Sequence, residues 1–113
     1  MKIGFDAKRA FHNSSGLGNY SRDLIRILSN GMKDDAFVLF NPKNEKRKFE
    51  FNTSNTEEVT PKGLWNNFRS AWRSIEIGKL SQKAGLTLYH GISNELPSGL
   101  GKIKSIVTIH DLI

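Results

Sequence analysis

The sequence contains no cysteine, so disulfide bonds, thiolate nucleophiles and thiolate-ligated metal sites are excluded. It also lacks any apolar run that approaches the roughly 18 residues needed to span a membrane. The first residues, Met1 to Ile3, lead straight into a predicted strand, without the apolar segment of a signal peptide. We therefore expect a cytoplasmic protein.

Signatures of metal binding and of covalent catalysis are missing as well. His12, His90 and His110 do not have the spacing of metal ligands, and no carboxylate cluster accompanies them, so no metal site is predicted. The Gly-x-Ser-x-Gly motif of serine hydrolases is absent, which leaves covalent hydrolase chemistry unsupported.

The composition that is present fits one small globular domain: 113 residues, 37% hydrophobic and 25% charged. An excess of 17 Lys and Arg over 11 Asp and Glu gives a net charge of +6, which favours anionic partners such as nucleotides, phospholipid surfaces or nucleic acid. The densest basic run, residues 43–48, is interrupted by Glu45 and lacks an aromatic platform. A solvated loop is therefore favoured over a nucleic-acid interface.

The chain opens with a predicted strand, a polar loop and the start of a helix. Ile3, Phe5 and Ala7 form the apolar run of the strand, and Gly16-Leu17-Gly18 opens the helix, with Ser14 or Ser15 as its predicted cap. Exposed amides at a helix start favour phosphate. A tight turn that merely packs closely is an equal alternative, because the third glycine of a dinucleotide fingerprint and a Walker lysine are both missing.

Apolar periodicity predicts the next elements. The helix is expected to end near Gly31 and to bury one face, with polar residues opposite. The buried face is predicted as Leu17, Tyr20, Leu24, Ile27 and Leu28, and the polar face as Ser21, Arg22, Asp23, Arg26 and Ser29. Residues 36–40 are continuously apolar, which is typical of a parallel strand covered on both faces. In the polar stretch 43–63, the islands 49–51 and Val59 are each candidates for a short strand.

Aromatic residues mark the following helical region. The apolar positions Trp65, Phe68, Trp72 and Ile75 change phase to Ile77, Leu80 and Ala84, with Gly78 at the change, which predicts a kinked helix or two short ones. Gly85 is the expected left-handed end. The basic residues among them, Arg69, Arg73, Lys79 and Lys83, indicate either contact with an anionic membrane or, as the favoured interpretation, solvated cations opposite a core-facing aromatic stripe.

Two further predicted strands, 86–90 and 104–111, run up to histidines. In a parallel sheet the carboxyl ends of the strands face the ligand crevice, so Ala7, His90, His110 and Asp111 are expected at one edge. The intervening loop 91–101 is too short for a crossover helix and is predicted to fold over the mouth of the crevice. With Asp111 beside it, His110 is a candidate ligand contact.

Four segments together resemble the amino-terminal domain of family 4 retaining glycosyltransferases. They are Phe5-Asp-Ala7, Ser15-Gly-Leu-Gly-Asn-Tyr20-Ser-Arg-Asp-Leu24, Tyr89-His-Gly-Ile-Ser-Asn-Glu-Leu-Pro97 and Val107-Thr-Ile-His-Asp-Leu112. The resemblance implies a Rossmann-like α/β domain, with an open, mainly parallel sheet and flanking helices, as one half of a GT-B enzyme. Such enzymes transfer a sugar from a nucleotide-diphosphate donor and require neither a metal nor another cofactor.

The resemblance also implies roles for residues. Gly16, Leu17 and Gly18 match the loop near the donor diphosphate, and His110, supported by Asp111, matches the histidine near the donor sugar. His90, Ser93, Asn94 and Glu95 match the acceptor side. Asn19 departs from the arginine often found there. The nucleotide-gripping domain of the family, with its paired glutamates, has no counterpart in these residues, so we expect a single, incomplete domain, a fragment that is inactive alone.

These observations leave more than one function open. The first is transfer of a hexose from a nucleotide sugar to a polysaccharide or a lipid-linked acceptor, in the cytoplasm or peripherally at an anionic inner membrane face. The second is a stand-alone phosphate- or nucleotide-binding α/β module without catalysis. A basic RNA- or membrane-binding protein is the third, and nucleic acid is not the expected partner.

Overall fold

The computed structural model describes residues 1–51 and 53–110, and within them five strands form one sheet. All neighbouring strands are parallel, in the order β3-β2-β1-β4-β5. The strands are β1 (Lys2–Asp6), β2 (Ala36–Phe40), β3 (Thr56–Val59), β4 (Leu88–Gly91) and β5 (Lys104–Val107). With helices flanking the sheet, the chain has the predicted Rossmann-like α/β fold.

Helical segments connect these strands. They are α1 (Lys8–His12), α2 (Gly16–Gly31), a 3₁₀ turn (Gly63–Asn67), α3 (Arg69–Ala71), a π turn (Trp72–Glu76) and α4 (Ile77–Ala84). The prediction of a polar loop directly after β1 is wrong for residues 8–12, where α1 forms because Ala10 and Phe11 turn into the core. No helix among the described residues is long and apolar enough to cross a membrane.

The core lies on both faces of the central strands. On one face Phe5 and Phe37 stack at 6.1 Å between ring centroids, beside Ile25 of α2. On the other face Phe40 packs against Trp72 of the π turn. Continuous apolar runs suit β2 because helices cover both faces of a parallel sheet.

The face of α2 that packs inward differs from the predicted one. Tyr20 is 42% exposed and Ile27 69% exposed. The buried residues are instead Gly18, Ser21, Arg22, Ile25 and Ser29. Leu24 and Leu28 pack at the margin of the core. Periodicity of apolar residues failed here because the inward face carries small residues and one arginine. Arg22 is tolerated there because it donates hydrogen bonds to the carbonyl oxygens of Ala10 and Asn13 at 3.2 and 2.6 Å.

The described residues of the polar stretch 43–63 form one strand, not two. β3, around Val59, pairs with β2. The predicted strand at 49–51 is absent because these residues pack against helices and not beside a strand. The Phe51 ring meets Phe11 edge-on at 5.3 Å, and the Arg22 guanidinium lies 3.6 Å from the centroid of Phe49.

The irregularity in the following helical region lies earlier than predicted. The Ile77 N–H donates to the Trp72 carbonyl oxygen, which closes the π turn before Gly78 is reached. Trp72 is buried, as expected of a core-facing stripe, but Phe68 and Ile75 are 60% and 49% exposed, so the stripe is interrupted. Gly85 ends α4 with a φ of 72°, as predicted.

The last two strands are shorter than predicted. β4 continues one residue past His90, and β5 ends at Val107, so His110 lies beyond the strand. Residues 92–103 connect the two parallel strands without a helix, as expected. Only the start of this loop reaches the crevice; further on, the Ser98 carbonyl packs so close to α4 that a Cβ on Gly78 would lie 1.9 Å from its oxygen.

Candidate functional site

The strand order changes direction between β1 and β4, since β2 and β3 lie on one side and β5 on the other. In open α/β sheets, ligands bind at this switch point, outside the carboxyl ends of the strands. A cavity of about 400 Å³ lies there. Its walls come from α1, from the residues after β2, from the π turn and from the start of the loop after β4.

Four cationic side chains line this cavity: Lys8, Arg9, Lys43 and Arg73. Lys8 and Arg9 follow the end of β1 directly, and Lys43 follows the end of β2, so the parallel register brings all three to one edge. The ion pairs found within residues 1–51 and 53–110 do not include Lys8 or Arg9. Glu95 is the one carboxylate among the described lining residues, so the charge of this lining favours an anion.

Arg73 is held in place by a buried ion pair. Its Nη2 lies 2.5 Å from Oδ2 of Asp6, which is only 2% exposed at the end of β1. Burial alone lowers the pKa of Arg73, but the charge and hydrogen bond of Asp6 outweigh it and raise that pKa. The Arg73 Nε is also 3.7 Å from a Glu95 carboxylate oxygen. Arg73 therefore joins the end of β1 to the loop after β4 and stays charged.

His12 joins two walls of the cavity. Its Nε2 lies 2.9 Å from the Lys43 carbonyl oxygen and 3.1 Å from the Asn41 side-chain nitrogen. Burial lowers the pKa of His12, and the charges of Lys43 and Arg47 lower it further. The imidazole is therefore neutral near pH 7, so it offers a hydrogen-bonding group and not a charge.

The glycine segment at the start of α2 does not line the cavity. Ser15 is the N-cap residue, yet the predicted serine cap is wrong, because the Asn13 side-chain oxygen accepts from the amides of Ser15 and Gly18 at 2.9 and 3.3 Å. A Cβ on Gly18 would lie 1.9 Å from the Asn13 carbonyl oxygen, so Gly18 serves close packing. Gly16, followed by the half-buried Leu17, is exposed with open space around it.

The acceptor-side candidates divide into two groups. Ser93, Asn94 and Glu95 line the cavity, and the Ser93 hydroxyl is buried without a partner among the described residues. His90 does not line it; its Nε2 is 2.7 Å from the Thr108 hydroxyl, its ring packs 5.6 Å from Phe5, and burial lowers its pKa. Ala7, expected at the same edge, is fully buried.

His110 lies next to the cavity loop and is fixed by three contacts. Its backbone N–H donates to the Asn94 side-chain oxygen at 2.6 Å, and its ring Nε2 donates to the Ile92 carbonyl oxygen at 2.8 Å. The Tyr20 ring of α2 meets it edge-on at 5.4 Å. Nδ1 has no partner among the described residues, so it is the ring atom open to a ligand. Asp111 lies outside the described residues.

Sequence reasoning missed the cationic lining. Lys8 and Arg9 directly follow the first predicted strand, and Lys43 follows the second after Asn41-Pro42. The rule that placed His90 and His110 at the edge is therefore sufficient to find all three. The prediction of a solvated Arg73 is wrong, because its side chain pairs with the buried Asp6. Among the described residues, no group of three or more His, Asp or Glu side chains gathers as a metal site.

Comparisons with protein-family models, with curated proteins and with solved structures found no match to this chain.

Proposed function

We propose that this chain is the amino-terminal part of a family 4 retaining glycosyltransferase, which transfers a hexose from a nucleotide-diphosphate sugar to a polysaccharide or lipid-linked acceptor. In this proposal a second domain holds the nucleotide, so residues 1–113 alone are not expected to catalyse transfer. The fold agrees with the expectation, because GT-B enzymes are built from Rossmann-like domains that face a cleft.

The observation that carries the proposal is the meeting of three motif segments at His110. Its main chain bonds Asn94, from the Tyr89–Pro97 segment, and its ring touches Tyr20, from the glycine segment. These segments are separate in the sequence, and each resembles the same family. Contact among all three supports a common site for them.

The arrangement suits the role that the resemblance gives to His110. Because Nε2 donates to a main-chain oxygen, the ring orientation is fixed and Nδ1 is the remaining acceptor. Such an acceptor can bind a hydroxyl of the donor sugar and hold that sugar in the orientation for transfer. Gly16 is exposed at the start of α2, one helical turn before Tyr20, and its amide can donate to the diphosphate.

A second candidate is a phosphate- or nucleotide-binding module without catalysis. The cation-lined cavity favours it, because every residue of that lining belongs to the chain itself. The two functions differ in their product: a transferase changes a glycan, whereas a binding module does not.

A gene deletion tests the transferase. We expect mass spectrometry of the cell's glycans and glycolipids to show a species that lacks one hexose, restored by the intact gene but not by a His110→Ala variant. The matched control is Ile109→Ala, since Ile109 is adjacent, 57% exposed and outside the cavity lining. It should restore the hexose. An unchanged glycan profile in the deletion strain, with the chain shown to be expressed in the parent, would exclude this function.

A further inference from the structure

The cavity is lined by cationic side chains and by neutral polar side chains. Lys8, Arg9 and Lys43 bring positive charge to one side, and Ser93 and Asn94 bring neutral hydrogen-bonding groups to the other. We infer that this cavity binds a phosphorylated hexose, and, resting on the proposed function, that this phosphorylated hexose is the sugar unit of the acceptor that receives the transferred hexose. The chemical class follows from the pairing of cations with hydroxyl and amide groups.

The cations account for the phosphate. Lys8 and Arg9 lie side by side at the start of α1, and the ion pairs of the described residues do not include them. Lys43 has only a loose contact with Glu45, at 3.8 Å. Arg73 is different, because Asp6 already compensates its charge. Three cations are thus available to a phosphate, and charge-assisted hydrogen bonds are the strong ones in recognition.

The polar side accounts for the sugar. Glu95 and Asn94 are exposed, and a carboxylate beside an amide can bind neighbouring hydroxyls of a hexose. The Ser93 hydroxyl has no partner among the described residues, which is costly for a buried polar group unless a ligand or a water molecule satisfies it. A site for inorganic phosphate alone would have no use for this second wall.

Size and position favour the acceptor over the donor. A volume of about 400 Å³ is at the small end of the roughly 300–1,000 Å³ found for ligand sites, which suits a monosaccharide phosphate better than a nucleotide-diphosphate sugar. Gly16, Leu17 and Gly18, which the resemblance assigns to the donor, do not line the cavity. Three residues that it assigns to the acceptor do line it: Ser93, Asn94 and Glu95.

Isothermal titration of the chain with hexose 6-phosphate, with the uncharged hexose and with inorganic phosphate tests this inference. We expect hexose 6-phosphate to bind most tightly and the uncharged hexose not at all. The double variant Lys8→Gln with Arg9→Gln should weaken hexose 6-phosphate binding by about tenfold or more. The matched control, Lys33→Gln with Lys102→Gln, removes the same charge at exposed positions outside the cavity and should change the affinity less than about twofold.

Several results would overturn the inference. Equal weakening by both double variants would show that net charge, and not Lys8 and Arg9 in particular, binds the phosphate. Equal affinity for inorganic phosphate and for hexose 6-phosphate would show that the sugar makes no contribution to binding. Circular dichroism of each variant ensures that lost binding is not lost folding. If deletion of the gene removes a hexose from glycans while hexose 6-phosphate fails to bind, the transferase survives and the phosphorylated acceptor does not.

Discussion

The central strand β1 and the edge strand β5 both lead into the candidate site, but they are held in different ways. Four of the five residues of β1 are buried, with Phe5 fully enclosed. All four residues of β5 are exposed, and the Ile106 side chain is 49% exposed. The cations that follow β1 are thus carried on a rigid support, whereas His110 is carried by a strand with little apolar packing.

Hydrogen bonds compensate for the missing packing around β5. β5 pairs with β4, and two further backbone bonds extend this contact. The Thr108 N–H donates to the Gly91 carbonyl oxygen at 2.9 Å, and the Asn94 N–H donates to the Thr108 carbonyl oxygen at 3.1 Å. His90 reaches the Thr108 hydroxyl at 2.7 Å. The position of His110 therefore depends on a network of polar contacts with the loop after β4.

The largest expected effect contrasts the two strands directly. Phe5→Ala should lower the free energy of unfolding by about 3–5 kcal/mol, because it leaves a cavity between buried rings. Ile106→Ala should cost about 1 kcal/mol or less, since half of that side chain already contacts solvent. Urea denaturation of both variants measures the difference. Similar losses would mean that β5 is packed more tightly than its exposure indicates.

The next largest effect on stability concerns the close packing at the start of α2. Gly18→Ala should destabilise the protein by about 1–3 kcal/mol, because its Cβ would overlap the Asn13 carbonyl oxygen and backbone must move. Gly16→Ala is the matched control: its Cβ meets no described residue within 4 Å, so stability should be unchanged or higher by up to about 1 kcal/mol. Thermal unfolding compares them. Equal melting temperatures would show that the turn tolerates a side chain at either position.

The smallest expected effect is a pH dependence of the free energy of unfolding, and it comes from His90 in β4, which contacts Thr108 just after β5. Because burial lowers the pKa of His90 below 6.5, the unfolded chain takes up its proton first as the pH falls. The free energy of unfolding should therefore decrease below about pH 6.5, by less than the limit for one proton of about 1.4 kcal/mol per pH unit.

The variant His90→Gln removes this titration and keeps a group that can bond Thr108. Its urea midpoint should fall less between about pH 7.5 and about pH 5.5 than that of the parent chain, although His12 still contributes, since its pKa is lowered too. An identical fall in both proteins would mean that His90 binds its proton equally well in the folded state.

The fold was largely predictable, because parallel strands buried on both faces carry unbroken apolar runs, as residues 36–40 do. The inward face of α2 was not, since Ser21 and Arg22 are polar in any scale of hydrophobicity and are buried only through bonds formed with distant carbonyl groups or within the helix.

The phase change in the apolar pattern of the aromatic helix indicates a π turn. Trp72 and Ile77 are both buried and five residues apart, a spacing that an α-helix does not place on one face. A π turn does place them so, because its hydrogen bond spans five residues. Gly78, where the break was expected, lies beyond the π turn, and its missing side chain allows close contact with the Ser98 backbone.

At the candidate site, the loop after β4 was predictable from its resemblance, and the cations were predictable only in part. Lys8 and Lys43 needed no more than the strand order. Arg73 needed tertiary information, since its partner Asp6 lies 67 positions away. Long-range ion pairs leave no periodic trace in a sequence, which is why this wall of the cavity was missed.

The connection between β4 and β5 also bears on the order in which the chain assembles. Local opening starts where few apolar contacts hold the backbone, and β5 has the fewest of the strands described. Its amides are then expected to exchange with solvent deuterium through detachment of this strand alone, while those of β1 and β2 exchange only on global unfolding. In such a hierarchy the histidine end of the site forms last during folding and opens first, without disturbing the cationic end.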